Sequence, residues 1–144
     1  MQTFLPYSNF RLTAEVLDRQ RLGKQRVECL QILRTLKQGP MTDGKHTSWY
    51  NHPAVQMWKG YERGLLLYLG EICLKWVSFG YKDTCLEKAK QLVSDGPIFL
   101  PDFIGNERFH LSHQSNLLRK KPEHYGQFFM GIPNDLEYVW PSKS

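Results

Sequence analysis

Cysteine is scarce in this chain: Cys29, Cys73 and Cys85 are the full set, and no two form a CxxC pair. An odd, sparse set argues against a disulfide scaffold and fits a reducing compartment, so a cytoplasmic protein is expected. Clustered Cys/His ligands are also missing. His110-x-x-His113 is the one close pair, too little for zinc, and neither a metal site nor a cofactor is expected. No apolar run approaches the length of a membrane span. The N-terminus lacks a basic stretch followed by an apolar one, so no signal peptide is expected. Repeats, low-complexity tracts and linkers are absent too, and nothing points to an obligate protein partner. What remains is a chain of 144 residues, enough for one domain over 1–144 with its own core.

Charge is present and slightly unbalanced. Lys and Arg number 19 against 14 Asp and Glu, a net charge of +5. The excess is modest, but its placement is not even. Arg11, Arg19, Arg21, Lys24, Arg26 and Arg34 fall early, and Arg119, Lys120 and Lys121 form a run near the end. Aromatic residues are 13% of the chain, and several stand beside polar or basic ones, as in Trp49-Tyr50-Asn51-His52 and Glu123-His124-Tyr125. Rings that stack bases beside cations that hold phosphate suit a polyanion partner. Trp58, Tyr61, Tyr68 and Trp76 have the spacing of core residues instead.

The patterning is helical throughout, and an all-α fold of three main helices with long connecting loops is expected. After an extended stretch over 1–10, the first helix is predicted from Leu12 to Lys37, capped near Thr13 and ended by Gly39-Pro40. A polar loop covers 39–53. The second helix is predicted from Pro53 to Phe79 on the stripe Val55, Trp58, Leu65, Leu69, Ile72 and Trp76, with Gly80 as its stop. A short helix is expected within 84–93. Residues 96–105 read as a loop that packs Ile98, Phe99 and Leu100 inward. The third helix is predicted over 108–120, a turn or short helix over 122–129, and an aromatic tail over 138–141 folding back.

One face of the first helix carries chemistry. Arg21, Lys24, Glu28, Gln31 and Thr35 recur at steps of three and four and so share a side, opposite Leu12, Val16, Val27, Leu30 and Leu33. A lone carboxylate among cations is a candidate acid/base group on an anion-binding surface. The same spacing also describes a solvated face with an ion pair between Lys24 and Glu28.

The run from Asp18 to Glu28 followed by Leu30 resembles the first helix of the pyrimidine-dimer DNA glycosylases, the small phage-type endonuclease V family. The likeness continues in His52-Pro53-Ala54-Val55, in Gly80-Tyr81-Lys82-Asp83-Thr84, in Ser112 to Lys120 and in Lys121-Pro122-Glu123-His124-Tyr125. It looks closest to the bacterial branch. The resemblance implies an enzyme that removes a damaged pyrimidine from double-stranded DNA and nicks the abasic site through an N-terminal amine Schiff base. It implies Glu28 as the catalytic carboxylate and the Met1 α-amine as nucleophile. An α-amine titrates at about 7.7–8.0, so part of it is neutral and nucleophilic near neutral pH. It further implies phosphate contacts by Arg21 and Arg26; charge adds Lys24, Arg119, Lys120 and Lys121 to a DNA-binding face, and His52, His113, Asn116, His124 and Tyr125 are candidate DNA contacts by residue type and neighbours. Ser112 and Gln114 are candidates of the same kind, with helix capping the alternative for Ser112.

Two departures bear on the nucleophile. The family's best-known members carry a small second residue that becomes the N-terminus; here Gln2 is large, and Met1 is expected to stay. The stretch before Glu28 is also longer. The Met1 amine therefore serves only if residues 1–10 fold back over the first helix; otherwise Lys24 or water takes that role, or catalysis is lost. Two other readings stay open: a glycosylase of the same fold for a different base, and a non-catalytic nucleic-acid-binding module.

Overall fold

Local capping decides where the helices start, and it splits two of those expected. The computed structural model describes residues 1–40 and 49–141. Asn9, not Thr13, opens α1 (Phe10–Val16): its side chain accepts the Leu12 N–H at 3.0 Å. Thr13 is buried instead and donates to the Tyr7 carbonyl. Leu17 and Asp18 then turn extended, and Asp18 caps α2 (Arg19–Gln38) by accepting from the Arg21 N–H. A short acidic side chain that can bond the backbone three residues on favours a cap over a helix interior. The break is anchored from afar: the Tyr125 hydroxyl accepts the Asp18 N–H at 2.9 Å and donates to the Asp18 carboxylate.

The second expected helix is split as well. Pro53 stands at the first position of α3 (Pro53–Gln56), with His52 accepting the Ala54 N–H through Nδ1. The chain then bends through Gly60, at φ +87°, before α4 (Glu62–Ser78). Gly60 sits in the backbone region that disfavours side chains, so the bend needs it. The predicted stripe nonetheless points inward as expected: Val55, Trp58, Leu65, Leu69 and Ile72 are fully buried. A 3-10 turn at Trp49–Asn51 precedes α3, and the rest of the expected 39–53 loop lies partly outside the described residues.

The remaining helices are α5 (Cys85–Lys90), α6 (Glu107–Lys120) and α7 (Pro122–Tyr125). Among the described residues there are thus seven α-helices and no strand; α2, α4 and α6 are the long ones. α4 packs against α1, α2 and α5, and α2 against α5. Three expectations about burial fail. Leu12 and Val27 are 47% and 54% exposed, because the break at Leu17 puts them on solvent-facing sides of two separate helices. Ile98, Phe99 and Leu100 are 52%, 62% and 45% exposed. Their loop is tied by its backbone, since Arg63 donates to the carbonyls of Ser94 and Pro97 at 2.8 and 2.7 Å, and Phe103 enters the core instead.

The N-terminal segment and the described part of the tail complete the structure without regular secondary structure. Gln2 to Pro6 are buried, with Leu5 fully so. The tail folds back on α6 as expected: the Leu136 and Val139 N–H groups donate to Ser115 and Ser112 at 3.0 and 3.1 Å.

Candidate active site

A buried irregular segment must find partners for its backbone, and each orphaned group would cost about 1–3 kcal/mol. Here side chains supply them. Trp58 Nε1 donates to Thr3 Oγ1 at 3.0 Å, holding that side chain from α3's end. His113 Nδ1 accepts the Leu5 N–H at 3.0 Å, and His110 Nδ1 lies 2.7 Å from the Leu5 carbonyl. Gln114 donates to the Pro6 carbonyl at 2.8 Å. Gln25, on α2 and fully buried, accepts the Phe4 N–H at 3.0 Å and donates to the Gln2 carbonyl at 2.8 Å. The Tyr68 hydroxyl lies 2.7 Å from both the Phe4 carbonyl and Gln25 Oε1 and shares its proton between them. Residues 2–4 therefore lie against α2, and Leu5 and Pro6 against α6.

Met1 is brought by this segment to a cleft of about 320 Å³ that Glu28 also lines. Arg21, Lys24 and Lys120 add cations to its wall; Tyr138 and Trp140 from the returning tail add rings. Glu28 Oε2 accepts from Gln25 Nε2 at 2.9 Å. Among the described residues the ion pair expected between Lys24 and Glu28 is not formed: Lys24 is exposed, and the pairs present lie elsewhere. Arg21 is oriented by Asp18, at 3.2 Å. Burial pushes the Asp18 carboxyl up, but hydrogen bonds from Tyr125 and Arg21 and the Arg21 charge outweigh it and hold the pKa below the usual value. Burial pushes the Tyr138 phenol up to about 12, so it stays a neutral donor. His52 stands behind Trp140, ring centroids 6.1 Å apart. Burial first, and then the N-terminal ammonium, lower its pKa.

Glu28 and Lys24 also line a second cleft, of about 620 Å³, on the other side of their helix face. Arg19, Arg26 and Lys121 surround it, with Val27 and Trp76 as its apolar part. Arg26 is held in place twice: by Asp83 at 2.6 Å and by the Trp76 ring, 4.5 Å below its guanidinium. α2 passes this ring closely, and a Cβ on Gly23 would come within 2.9 Å of it.

The expected DNA-contact residues separate accordingly. Arg21, Lys24, Arg26, Lys120 and Lys121 converge on the two clefts around Glu28, and His52 stands beside the first. His113, Asn116 and Tyr125 do not: they are 1%, 5% and 0% exposed and are spent on internal bonds. Burial, with the nearby His110, lowers the His113 pKa to about 3, so it is a neutral acceptor rather than a phosphate ligand. Ser112 and Gln114 likewise bond the chain's own backbone, and Asn106 rather than Ser112 caps α6. Arg119 is exposed, but its guanidinium binds Asn116 and the carbonyls of Asn134 and Leu136. His124 is half-buried with Nε2 2.8 Å from the Val16 carbonyl.

Four residues that the sequence did not single out shape the site. Tyr138 and Trp140 were read only as tail. Trp76, expected in the core, packs against it half-buried and also faces the second cleft. Gln25 had a legible signal: it lies four residues after Arg21 and three before Glu28, on the same stripe. Among the described residues no group of three or more His, Cys, Asp or Glu is placed to hold a metal ion. None of their helices is long and apolar enough to cross a membrane.

The family described as pyrimidine dimer DNA glycosylase matches residues 1–89, which hold α1 to α4, most of α5, the N-terminal segment and Glu28. The chain belongs to this family of DNA-repair enzymes, whose substrate is DNA. Comparison with curated proteins and with solved structures finds no match.

Proposed function

We propose that this family member excises a damaged pyrimidine, as in a pyrimidine dimer, from duplex DNA and then cuts the strand, with the Met1 α-amine as nucleophile and Glu28 as its carboxylate. One observation carries the reading: Met1 and Glu28, 27 positions apart, line the same cleft, and cations surround it. The neutral amine attacks C1′ and forms a C–N bond; the glycosidic bond breaks, and the base takes that electron pair and a proton, staying tethered, in a dimer, through its bonds to the neighbouring pyrimidine. The amine loses a proton and the sugar ring opens to a Schiff base. Removal of a C2′ proton then expels the 3′ phosphate, and water hydrolyses the Schiff base to free the amine. Glu28 stabilises the positive charge that builds at C1′ and carries protons between these steps. Arg21, Lys24 and Lys120 hold phosphate oxygens at the first cleft. Arg19, Arg26 and Lys121 hold those at the second.

Borohydride reduction during turnover tests the nucleophile. Ultraviolet-irradiated duplex should give a covalent protein–DNA adduct that mass spectrometry places on Met1. Acetylating the N-terminus, or extending it with an uncleaved tag, should abolish both adduct and nick. An adduct on Lys24 would move the role there. Glycosidic cleavage with no adduct would replace the amine with water and leave Glu28 in place.

A further inference from the structure

We infer that Gln25 is a positioning residue: its one side-chain amide sets the N-terminal amine and the Glu28 carboxylate in register with each other. The inference rests on the reading of Met1 and Glu28 given above. Its observation is a hydrogen-bond account that closes. A side-chain amide has two donor positions on nitrogen and two acceptor positions on oxygen. Gln25 is fully buried, and all four are used. Nε2 donates to the Gln2 carbonyl at 2.8 Å and to Glu28 Oε2 at 2.9 Å. Oε1 faces the Phe4 N–H at 3.0 Å and the Tyr68 hydroxyl at 2.7 Å.

The orientation of this amide is dictated by its partners. A backbone N–H can only donate and a backbone carbonyl can only accept, so Oε1 must face Phe4 and Nε2 must face Gln2. Nε2 then has one remaining hydrogen, and Glu28 Oε2 receives it. The two ends of the bridge are the two halves of the chemistry. Gln2 is the residue next to the α-amine, and Glu28 is the carboxylate that serves it. A rigid planar group between them leaves little freedom in their relative placement, and the surrounding Tyr68 and Phe4 contacts fix the amide itself. Attack geometry is sensitive at this level, since a misplacement of about 1 Å can lower a rate about 10²-fold.

Steady-state kinetics on an ultraviolet-irradiated duplex separate positioning from structure. Gln25→Met keeps the length and removes every hydrogen bond; Gln25→Glu keeps the shape and removes both donors. Each should lower kcat by about 10²-fold with KM within about threefold, because the loss falls on placement in the transition state and not on DNA binding. Tyr68→Phe, which leaves both Nε2 bonds intact, should lose less than about tenfold. A folded Gln25→Glu or Gln25→Met enzyme with wild-type kcat overturns the inference, as does a change in KM alone. Should Gln25→Met not fold, Gln25→Glu decides. A wild-type protein that cleaves no glycosidic bond in irradiated DNA would sink the proposed function instead. Acetic anhydride labelling then still reads the bridge: Gln25→Met should change the acetylation rate of the Met1 amine several-fold relative to surface lysines, and an unchanged rate overturns the inference.

Discussion

Glu28 shows how much one side chain's surroundings decide. It is half-buried, lines two clefts at once and takes a hydrogen bond from Gln25, with cations around it but no ion pair among the described residues. A carboxylate used only to neutralise Lys24 would be bonded to it. Glu28→Gln keeps volume and hydrogen bonding but removes the charge. Single-turnover cleavage of the glycosidic bond should fall by about 10²–10⁴-fold, the range of a lost acid/base group. Affinity for duplex DNA should stay within a few-fold, because phosphate contacts dominate it. Wild-type excision by Glu28→Gln on any substrate that the parent cleaves removes Glu28 from the mechanism. At this scale the sequence was informative about charge and poor about burial. The stripe through Arg21, Lys24 and Glu28 was readable from spacing alone. Gln25 lies on the same stripe, yet its partners Phe4 and Tyr68 are 21 and 43 residues away, and periodicity says nothing of contacts at that range. His113 and Asn116 failed for the same reason. Polar residues on a helix read as surface, whereas here α6 uses them to bind the N-terminal segment and the tail.

Elements were legible where the hydrophobic period ran on and illegible where a cap interrupted it. α6 was placed to within a residue, and the core stripe of α3 and α4 was read correctly across a break that it does not reveal. The breaks at Asp18 and Gly60 depend on a cap bonded to Tyr125 and on one backbone dihedral. The N-terminal segment is the element with most at stake, because it carries Met1 and has no ladder of its own. His113 holds it by accepting the Leu5 N–H, which only a neutral ring nitrogen can do. Its folded pKa of about 3 lies below the ordinary histidine value, so the unfolded chain binds this proton more readily than the folded one. Stability from His113 is therefore complete above about pH 6.5 and is lost as pH falls from there toward 3. Burial lowers His110 and His52 in the same direction, while hydrogen bonds outweigh burial and hold the Asp18 and Asp83 carboxyls below their ordinary value. Melting temperature should drop between pH 7 and pH 5, and His113→Asn, whose amide oxygen can accept the Leu5 N–H without titrating, should flatten that drop. An equal drop in the variant would mean that His113 does not govern acid sensitivity.

The whole molecule gathers positive charge from two distant parts of the chain. The start of α2 brings Arg19, Arg21 and Lys24; the junction of α6 and α7 brings Lys120 and Lys121. The Asp18–Tyr125 bond clamps those two regions together, so a net charge of +5 becomes a local field around Glu28. The cations meet phosphate with unequal freedom. Arg26 is ion-paired with Asp83, Arg21 with Asp18, and Arg119 holds the tail, whereas Lys24, Lys120 and Lys121 take part in no ion pair among the described residues. Each phosphate contact releases counterions, so log K should fall against log salt with a slope of about −0.9 per contact. Changing Lys120 and Lys121 together to Gln should make that slope shallower by about two and weaken damaged and undamaged duplex alike. Arg119→Gln should leave the slope nearly unchanged and lower the melting temperature instead, because it frees the tail that carries Tyr138 and Trp140 to the first cleft. Titrations of fluorescent duplex at several salt concentrations measure both effects. An Arg119→Gln slope that drops as far as the double lysine variant's would mean that the guanidinium leaves the tail to bind DNA, and affinity that ignores salt altogether would remove DNA as the partner of this surface.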